Sequence, residues 1–265
     1  MVQFKTQKPP PAIADHVSEM WLLEDDGAPS VGMPKPFVEL VVSLRGVHFW
    51  KPSKNGDEVE YTTAWVTPIQ DGPRYARAVG GRKLMGARLF PWAANAWLGS
   101  LPSGNGGSPP ELSSLLGEDA ASIQEWLSDA PDEHSMFTRF GAWLASHLES
   151  DKAQTHKLRD IALEPSDTVE TLAKSLNVSE PTLRRSFASN NGVAPKRWLI
   201  LRRLDQILRD PRLSDPGHSL AQLAAEYGFA DQAHLSREML RYTGTSPTGL
   251  RQRDENYPPH MLDED

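Results

Sequence analysis

Two stretches of the chain, 51 residues apart, carry the same helical pattern. Each begins with a residue that favours a helix N-terminus, Thr168 in the first stretch and Ser219 in the second. Because apolar residues spaced three and four apart fall on one side of a helix, both stretches are predicted to be amphipathic helices of a duplicated unit. The shared apolar positions hold Val169, Leu172, Ala173 and Leu176 in the first copy and Leu220, Leu223, Ala224 and Tyr227 in the second.

A tight turn follows each of these helices, at Asn177–Val178 in the first copy and at Gly228–Ala230 in the second. A new capping residue, Ser179 or Asp231, then predicts a second helix. A helix, a short turn and a helix, present twice, are the signature of a pair of helix-turn-helix units. The residues of the second helices that can pack back on the first are Leu183 with Phe187, and Leu235 with Met239.

A connector helix is predicted between the two units. Pro195 favours its start, and Asp210-Pro211 ends it. At 1.5 Å per residue the connector is roughly 20 Å long, which is enough to hold both units on one side of a duplex. Its apolar residues are Trp198, Leu201, Leu204 and Leu208.

The charge of the chain is unevenly distributed, although the net charge is −7. Residues 1–150 hold 12 Lys and Arg against 18 Asp and Glu, residues 151–253 hold 16 against 12, and residues 254–265 hold none against 5. A basic segment between two acidic ones points to a polyanion partner for that segment alone. We therefore expect domains at 1–150 and 151–253, a hinge in the polar run 149–155, and an acidic tail at 254–265.

The residues of the basic segment resemble the C-terminal DNA-binding domain of the AraC/XylS family of bacterial transcriptional regulators, over about residues 157–252. The resemblance is carried by Leu223–Arg237, by the ending Thr243–Pro247 and by Leu250-Arg251. It implies a cytoplasmic regulator that binds double-stranded DNA, with RNA polymerase as a further candidate partner. The region around Gly86–Ala94 more loosely resembles an uncharacterised regulatory domain found ahead of this module. In the family such a domain is commonly a small β-barrel that senses a ligand or carries a dimer interface, so monomer and homodimer both stay open.

The N-terminal part is predicted to be rich in β-structure. Short runs of β-branched and aromatic residues between Phe37 and Pro91 are separated by turn signals, which favours a small antiparallel sheet or barrel. Helical spacing follows from Leu112 to Leu148. The expected fold class is α+β: a β-rich small barrel with following helices, then an all-α domain of two helix-turn-helix units and a connector. The predicted strands are 38–44, 47–50, 61–66 and 88–90.

Side chains that face away from the first helix of each unit are the candidates for reading DNA bases, where Arg suits guanine and Gln suits adenine. Lysines and arginines elsewhere can contact phosphates or form a solvated face. The predicted recognition residues are Thr182, Arg184 and Arg185 in the first unit and Gln232, Ala233, His234, Ser236 and Arg237 in the second. The candidate phosphate contacts are Lys196, Arg197, Arg202, Arg203 and Arg241.

Two of these candidates have a structural alternative. Arg184 can form a surface ion pair with Glu180, one helical turn before it. His234 can make a structural hydrogen bond at the turn instead of a groove or phosphate contact. The whole domain has an alternative too, since a basic surplus of this size also fits a partner-binding regulatory protein that has lost specific DNA affinity.

Catalysis is not expected. The eight histidines include no His-x-His pair and no His-Glu-x-x-His run, and the chain has no cysteine. His48 is the only imidazole of the β segment, so neither a metal nor a cofactor is expected. No apolar run approaches the ~20 residues that span a bilayer, so no membrane partner is expected.

The N-terminal tryptophans are open to two interpretations. Aromatic side chains fill the core of a small barrel, and they also line ligand pockets. The second interpretation predicts a pocket for a small organic effector that involves Trp50, Trp65 and Trp92.

Overall fold

The computed structural model describes residues 2–70, 72–99, 101, 108–117, 120, 122–148, 167–191, 193–251 and 258–264. An antiparallel sheet is followed by helices, as the fold class predicted. In the part of the chain so described, no helix is long and apolar enough to cross a bilayer. The strands are β1 Gln3–Gln7, β2 Val17–Asp25, β3 Ser30–Gly32, β4 Val38–Lys51, β5 Val59–Tyr61, β6 Ala64–Thr67, β7 Arg74–Leu89 and β8 Met261–Asp263.

The helices fall into two groups. Among the described residues, four lie between the sheet and residue 148, and six belong to the helical C-terminal part. The first group is α1 Pro91–Leu98, α2 Leu112–Leu116, α3 Ile123–Ser128 and α4 Glu133–Leu148. The second is α5 Val169–Ser175, α6 Glu180–Asn191, α7 Pro195–Arg209, α8 Leu220–Glu226, α9 Gln232–Thr243 and α10 Pro247–Leu250, with short 3-10 helices at Pro11–Ile13 and Pro211–Leu213.

The sheet is built around the two longest strands, β4 and β7, which pair antiparallel from Val38 opposite Leu89 to Lys51 opposite Tyr75. On its other side β7 pairs with β2 and β3, while β5 and β6 pair with β4. The sequence predicted two separate strands where β4 is continuous, because Gly46 is accommodated by a shift of register within the strand. It also missed β1, β2, β3 and most of β7.

The two faces of this antiparallel sheet are both covered, and they have different partners. Leu40 and Met85 point to the face that packs on the helices. Their neighbours Val41 and Leu84 point to the opposite face, where they form a second apolar cluster with Trp21, Tyr61, Trp65 and Met261. This second face is the wall of a cavity.

The helical C-terminal part packs directly on the N-terminal part. The apolar core runs without a break from the sheet into the helices of both units. Trp198 of α7 donates a hydrogen bond from Nε1 to the carbonyl oxygen of Pro36 at 2.9 Å. Helix α1 lies against α6. The predicted hinge at 149–155 lies outside the described residues.

The predicted acidic tail is partly built into the fold. Its described residues include β8, which pairs antiparallel with β3 and places Met261 opposite Gly32 and Asp263 opposite Ser30. A strand so far from the sheet in sequence has no local signal, which explains why the sequence predicted only a charged tail.

Candidate nucleic-acid interface and sheet cavity

The turns of the two helix-turn-helix units have matching backbone geometry. Asn177 and Gly228, 51 residues apart, both adopt a left-handed conformation, with φ of 55° and 72°. The amide of Val178 donates to the carbonyl of Ala173 at 3.0 Å, and the amide of Phe229 makes the equivalent bond to Ala224 at 2.8 Å. These bonds close the C-terminus of each first helix. The duplication predicted from the sequence is therefore confirmed in the backbone.

The predicted capping residues start the helices of both units. The side chain of Thr168 accepts a hydrogen bond from the amide of Thr171, and that of Ser219 accepts one from the amide of Gln222. In the second recognition helix the carboxylate of Asp231 accepts from the amide of His234 at 2.6 Å.

The first recognition helix, α6, presents a polar outer face. Leu183 and Phe187 are buried, so Thr182, Arg184 and Arg185 face outward and are exposed, as predicted. Arg184 also forms the predicted alternative contact, an ion pair with Glu180 at 3.1 Å. Both side chains of this pair are highly exposed, and exposed pairs contribute little free energy, so a phosphate or base could replace Glu180.

The second recognition helix, α9, is organised in the same way. Leu235 and Met239 are buried against α8, which leaves an outer face formed by the exposed Gln232, Ala233 and Arg237 and the half-buried Ser236. His234 differs, because its Nδ1 accepts a hydrogen bond from the amide of Ala230 at 3.3 Å and its ring meets Phe229 edge-on. His234 therefore makes the structural hydrogen bond at the turn, and only its remaining edge is available to a groove.

The predicted phosphate-contact residues differ in how exposed their side chains are. Lys196 and Arg241 are exposed. Arg197 is half-buried, and its Nε donates to the hydroxyl of Tyr242 at 3.4 Å. Arg202 lies over the ring of Trp198, and burial lowers its pKa. Lys196 and Arg241 are thus the members of this set that present the most open cations.

Arg203 has two backbone partners that the sequence did not predict. Its guanidinium donates to the carbonyl oxygen of Asp167, just before the first unit, at 2.6 Å and to that of Gly228, in the second turn, at 3.1 Å. These two hydrogen bonds connect both units with the connector helix, so Arg203 has a structural role in the described chain. The sequence could not show this, because both partners are distant carbonyl groups.

Two further arginines hold the second unit together, and neither was assigned a role from the sequence. Arg212 contacts the carboxylates of Asp210 at 2.6 Å and Glu226 at 2.8 Å. Arg251 donates to the carbonyls of Leu213 at 2.9 Å and His218 at 2.6 Å. They fix the loop between connector and α8, which orients the second unit.

The inner face of the sheet lines a partly open cavity of about 150 Å³, which we call the sheet cavity. Its wall is aromatic and aliphatic, and Trp50 and Trp65 belong to it as predicted. Trp92 does not, because its ring stacks on Phe90 at 4.7 Å on the helical side of the sheet. The apolar wall is formed by Phe4, Trp21, Leu23, Met33, Val41, Trp50, Trp65, Leu84 and Met261.

The polar part of the cavity lining is mainly cationic. Lys35, Arg74, Arg82 and Arg88 line it, together with the carboxylate of Glu39. Burial alone would raise the pKa of Glu39, but the charges of Lys35 and Arg88 lower it to about 2. Trp21 adds a polar atom of another kind, since its Nε1 is buried and has no hydrogen-bond partner among the described residues.

A chain of ion pairs connects the cavity with the connector helix. Arg88 contacts both Glu39 and Glu19, and Glu19 in turn contacts Arg209 of α7 at 3.3 Å. Arg209 pairs with Asp205 of the same helix at 3.2 Å. The ion pairs of the cavity lining therefore continue to the helix that joins the two helix-turn-helix units.

Metal-binding residues are not grouped in the described ranges, which contain no cluster of three His, Cys, Asp or Glu side chains that could hold an ion.

Two duplicated helix-turn-helix units with exposed recognition helices define a nucleic-acid-binding class of protein. Residues 172–253 match the family model of a helix-turn-helix domain. The C-terminal part of the chain is a helix-turn-helix domain of the AraC type, so the resemblance seen in the sequence is confirmed over this region.

Three known proteins are similar to this chain over different shares of its length. The Msm operon regulatory protein of Streptococcus mutans is 28% identical over 121 residues, which cover 42% of this chain and 42% of that protein. The chain thus matches less than half the length of this curated relative. The crystal structure of ToxT from Vibrio cholerae covers 93% of this chain and 97% of its own, at 11% identity and a TM-score of 0.47. The DNA-binding domain of AdpA, in complex with a target DNA, is 35% identical and covers 32% of this chain and 75% of its own, with a TM-score of 0.29.

Proposed function

We propose that the chain is a sequence-specific regulator of transcription that binds double-stranded DNA through both helix-turn-helix units. The observation that carries the proposal is the exposure of the recognition faces of α6 and α9. Both faces are exposed although the N-terminal part packs on the helical C-terminal part. Residues 1–150 would form the regulatory domain and residues 151–253 the DNA-binding domain. The AraC-type domain is one found in transcription regulators, and the proposal includes no catalytic step.

The geometry of the helical part suggests how the duplex is bound. The connector α7 has 15 residues and is therefore about 22 Å long. Two recognition helices joined in this way would enter successive major-groove segments about 34 Å, or roughly 10 base pairs, apart. The preferred site would then be asymmetric and consist of two parts, one read by Arg184 and Arg185 and the other by Gln232 and Arg237.

Selection of bound duplexes from a random pool by the full chain tests this proposal. We expect a bipartite sequence and an affinity that falls steeply with salt, because Lys and Arg release counterions from phosphates. The change of both Arg185 and Arg237 to Ala should abolish enrichment, whereas Lys5→Ala, an exposed cation of β1, should not. Failure to enrich any sequence, or salt-independent binding, would favour the alternative of a partner-binding protein without specific DNA affinity.

A second function, response to a small effector, is favoured by the sheet cavity. An apolar wall with several cations and the Nε1–H of Trp21 fits an apolar molecule that carries an anionic or acceptor group. The charge network through Arg88, Glu19 and Arg209 would connect such a ligand with α7. Coupling requires that the ligand binds one arrangement of the two parts better than another.

Tryptophan fluorescence of the full chain tests this effector hypothesis in a metabolite screen. Trp21, Trp50 and Trp65 line the cavity, so a bound ligand should change their emission. A ligand that binds should also shift the affinity for the selected duplex, and Trp21→Phe should weaken the binding of an acceptor-bearing ligand. A ligand that binds without any effect on DNA affinity would contradict the sensor role.

The proposed regulator also includes contacts with RNA polymerase, a monomeric or homodimeric state and a cytoplasmic location.

A further inference from the structure

One side of the sheet cavity is lined by residues from the end of the described chain. Pro258, His260 and Met261 line the cavity, and we call residues 258–264 the closing segment. Met261 is 8% exposed and packs in the aromatic cluster of Trp21 and Trp65. A part of the chain beyond the helix-turn-helix units therefore occupies space on the inner face of the sheet.

Backbone hydrogen bonds hold the closing segment on β3. The amide of Met33 donates to the carbonyl of His260 at 2.8 Å, and the amide of Glu264 donates to the carbonyl of Pro29 at 3.2 Å. This is the addition of one strand to a sheet edge, an arrangement by which separate peptides also bind to proteins. The short ladder of β8, three residues long, makes the segment a small unit that can leave without opening the rest of the sheet.

His260 connects the closing segment with the connector helix. Its side chain is 1% exposed, and its Nε2 lies 2.6 Å from Oδ1 of Asp205 on α7. Asp205 is also the partner of Arg209. His260 thus lines the cavity, accepts a hydrogen bond from β3-flanking Met33 through its carbonyl, and contacts the connector helix through its side chain.

With the closing segment in place, the sheet cavity is too small for a ligand of ordinary size. About 150 Å³ is enough for a molecule of the size of benzene, whereas pockets for typical small ligands measure roughly 300–1,000 Å³. The side chains of His260 and Met261 fill part of the inner face. A ligand of ordinary size therefore needs the space that they take.

Two buried polar atoms lack hydrogen-bond partners while the closing segment lies on the sheet. Nδ1 of His260 and Nε1 of Trp21 have no hydrogen-bond partner among the described residues. An unmade hydrogen bond of a buried group costs about 1–3 kcal/mol. An acceptor-bearing ligand would give Trp21 a partner, and release of the segment would return His260 to water.

We propose that the closing segment is an internal competitor for the sheet cavity, displaced by an apolar ligand with an anionic or acceptor group. Its displacement breaks the contact between His260 and Asp205 and so loosens α7 from the sheet. The ligand part of this inference rests on the proposed effector function, whereas the competition itself does not depend on DNA binding.

Hydrogen exchange of the full wild-type chain, with and without saturating anilinonaphthalene sulfonate, is the primary test. This probe combines aromatic rings with an anionic acceptor group. We expect the amides of Met33 and Glu264 to exchange faster when the probe is bound, while amides inside the β4 and β7 ladder stay unchanged. Probe binding that leaves both amides protected, or that slows them, would overturn the competition.

Variants of the closing segment provide the second measurement. Met261→Glu places a charge in the aromatic cluster and should release the segment, whereas Met261→Leu should retain it. Because apparent affinity scales with the fraction of open molecules, Met261→Glu should tighten probe binding by about tenfold or more. A chain that ends at Arg251 should behave like Met261→Glu, and it tests the same point if the charged variant fails to fold. Probe affinity that is equal in all four chains would reject the proposal.

The link to α7 has its own variant. His260→Ala removes the contact with Asp205 but keeps the backbone ladder, so Met33 should stay protected. For the duplex selected above, the probe should change DNA affinity in the wild type and change it less in His260→Ala. Displacement of the segment without any DNA binding in any chain would reject the proposed regulator and leave the competition intact. An equal probe effect in wild type and His260→Ala would reject the link.

Discussion

The indole ring of Trp21 lies directly against the backbone of Gly86, its neighbour on the adjacent strand. A Cβ atom at position 86 would fall 2.2 Å from Cζ2 of Trp21. Carbon atoms cannot approach so closely, so any larger residue at 86 must displace the ring. The position of Trp21 in the cavity wall therefore depends on a glycine at position 86.

Gly86→Ala should lower the free energy of unfolding by about 1–3 kcal/mol, because overpacking forces side chains and backbone to shift. Urea unfolding followed by tryptophan emission measures this. Gly32→Ala is the matched control in the same sheet, since its Cβ would meet only the carbonyl oxygen of Arg74, at 3.8 Å. Equal losses in the two variants would show that Trp21 does not lie on Gly86.

Arg237→Ala should weaken binding to the preferred duplex by about 1–3 kcal/mol and relax the preference at one base pair, as for an arginine that reads guanine. The exposed position of Arg237 on α9 is the reason. Competition binding against duplexes substituted one base pair at a time provides the measurement. A uniform loss on all duplexes would assign Arg237 to the phosphates.

Arg203→Ala should destabilise the helical part by about 1–3 kcal/mol, because two half-buried carbonyls lose their donor. The dependence of DNA affinity on salt should stay that of the wild type. Arg185→Ala is the opposite case, with DNA binding reduced and the unfolding midpoint unchanged. A salt slope lowered by about one unit in Arg203→Ala would restore it as a phosphate contact.

Two buried histidines should make the folded chain sensitive to mild acid. Burial lowers the pKa of His48 to about 4, and the charge of Arg82 acts in the same direction. Burial also lowers the pKa of His260, with Arg88 and Lys35 in support and Asp205 in opposition. An unfolded histidine has a pKa near 6.5, so the unfolded state takes up protons first as the pH falls.

Stability should therefore be complete above about pH 7 and decline below about pH 6.5, on the order of 2 kcal/mol per histidine at pH 5. Urea unfolding at pH 7 and pH 5 measures the loss. His48→Gln and His260→Gln should each reduce the difference between the two pH values, while His134→Gln, which changes an exposed side chain of α4, should not. A difference unchanged in both buried variants would contradict this assignment.

Local features were predictable from the sequence, and contacts between distant segments were not. The caps, the apolar stripes and the limits of α7 depend on neighbouring residues, so their patterns predicted the helical part correctly. The outer faces of α6 and α9 followed from the same periodicity. The sequence placed Asn177 and Gly228 at equivalent turns of the duplication. Both residues do adopt a left-handed backbone conformation.

Contacts between a side chain and a group far away in the sequence were not predicted. Arg203 and Trp92 were assigned by residue type, but a carbonyl before α5 and the ring of Phe90 determine their positions. The charge network of Arg88, Glu19 and Arg209 spans three elements with no sequence spacing in common. Patterns of charge along the chain cannot indicate such clusters.

The pairing of β8 with β3 has a consequence for synthesis. The paired residues are separated by about 230 positions, so β3 is translated long before its partner strand exists. During that interval its outer edge offers unpaired amides and carbonyls to other nascent chains. The sheet of the N-terminal part is therefore complete only after residues 261–263 have been synthesised, and the addition of this strand protects the edge of β3 from aggregation.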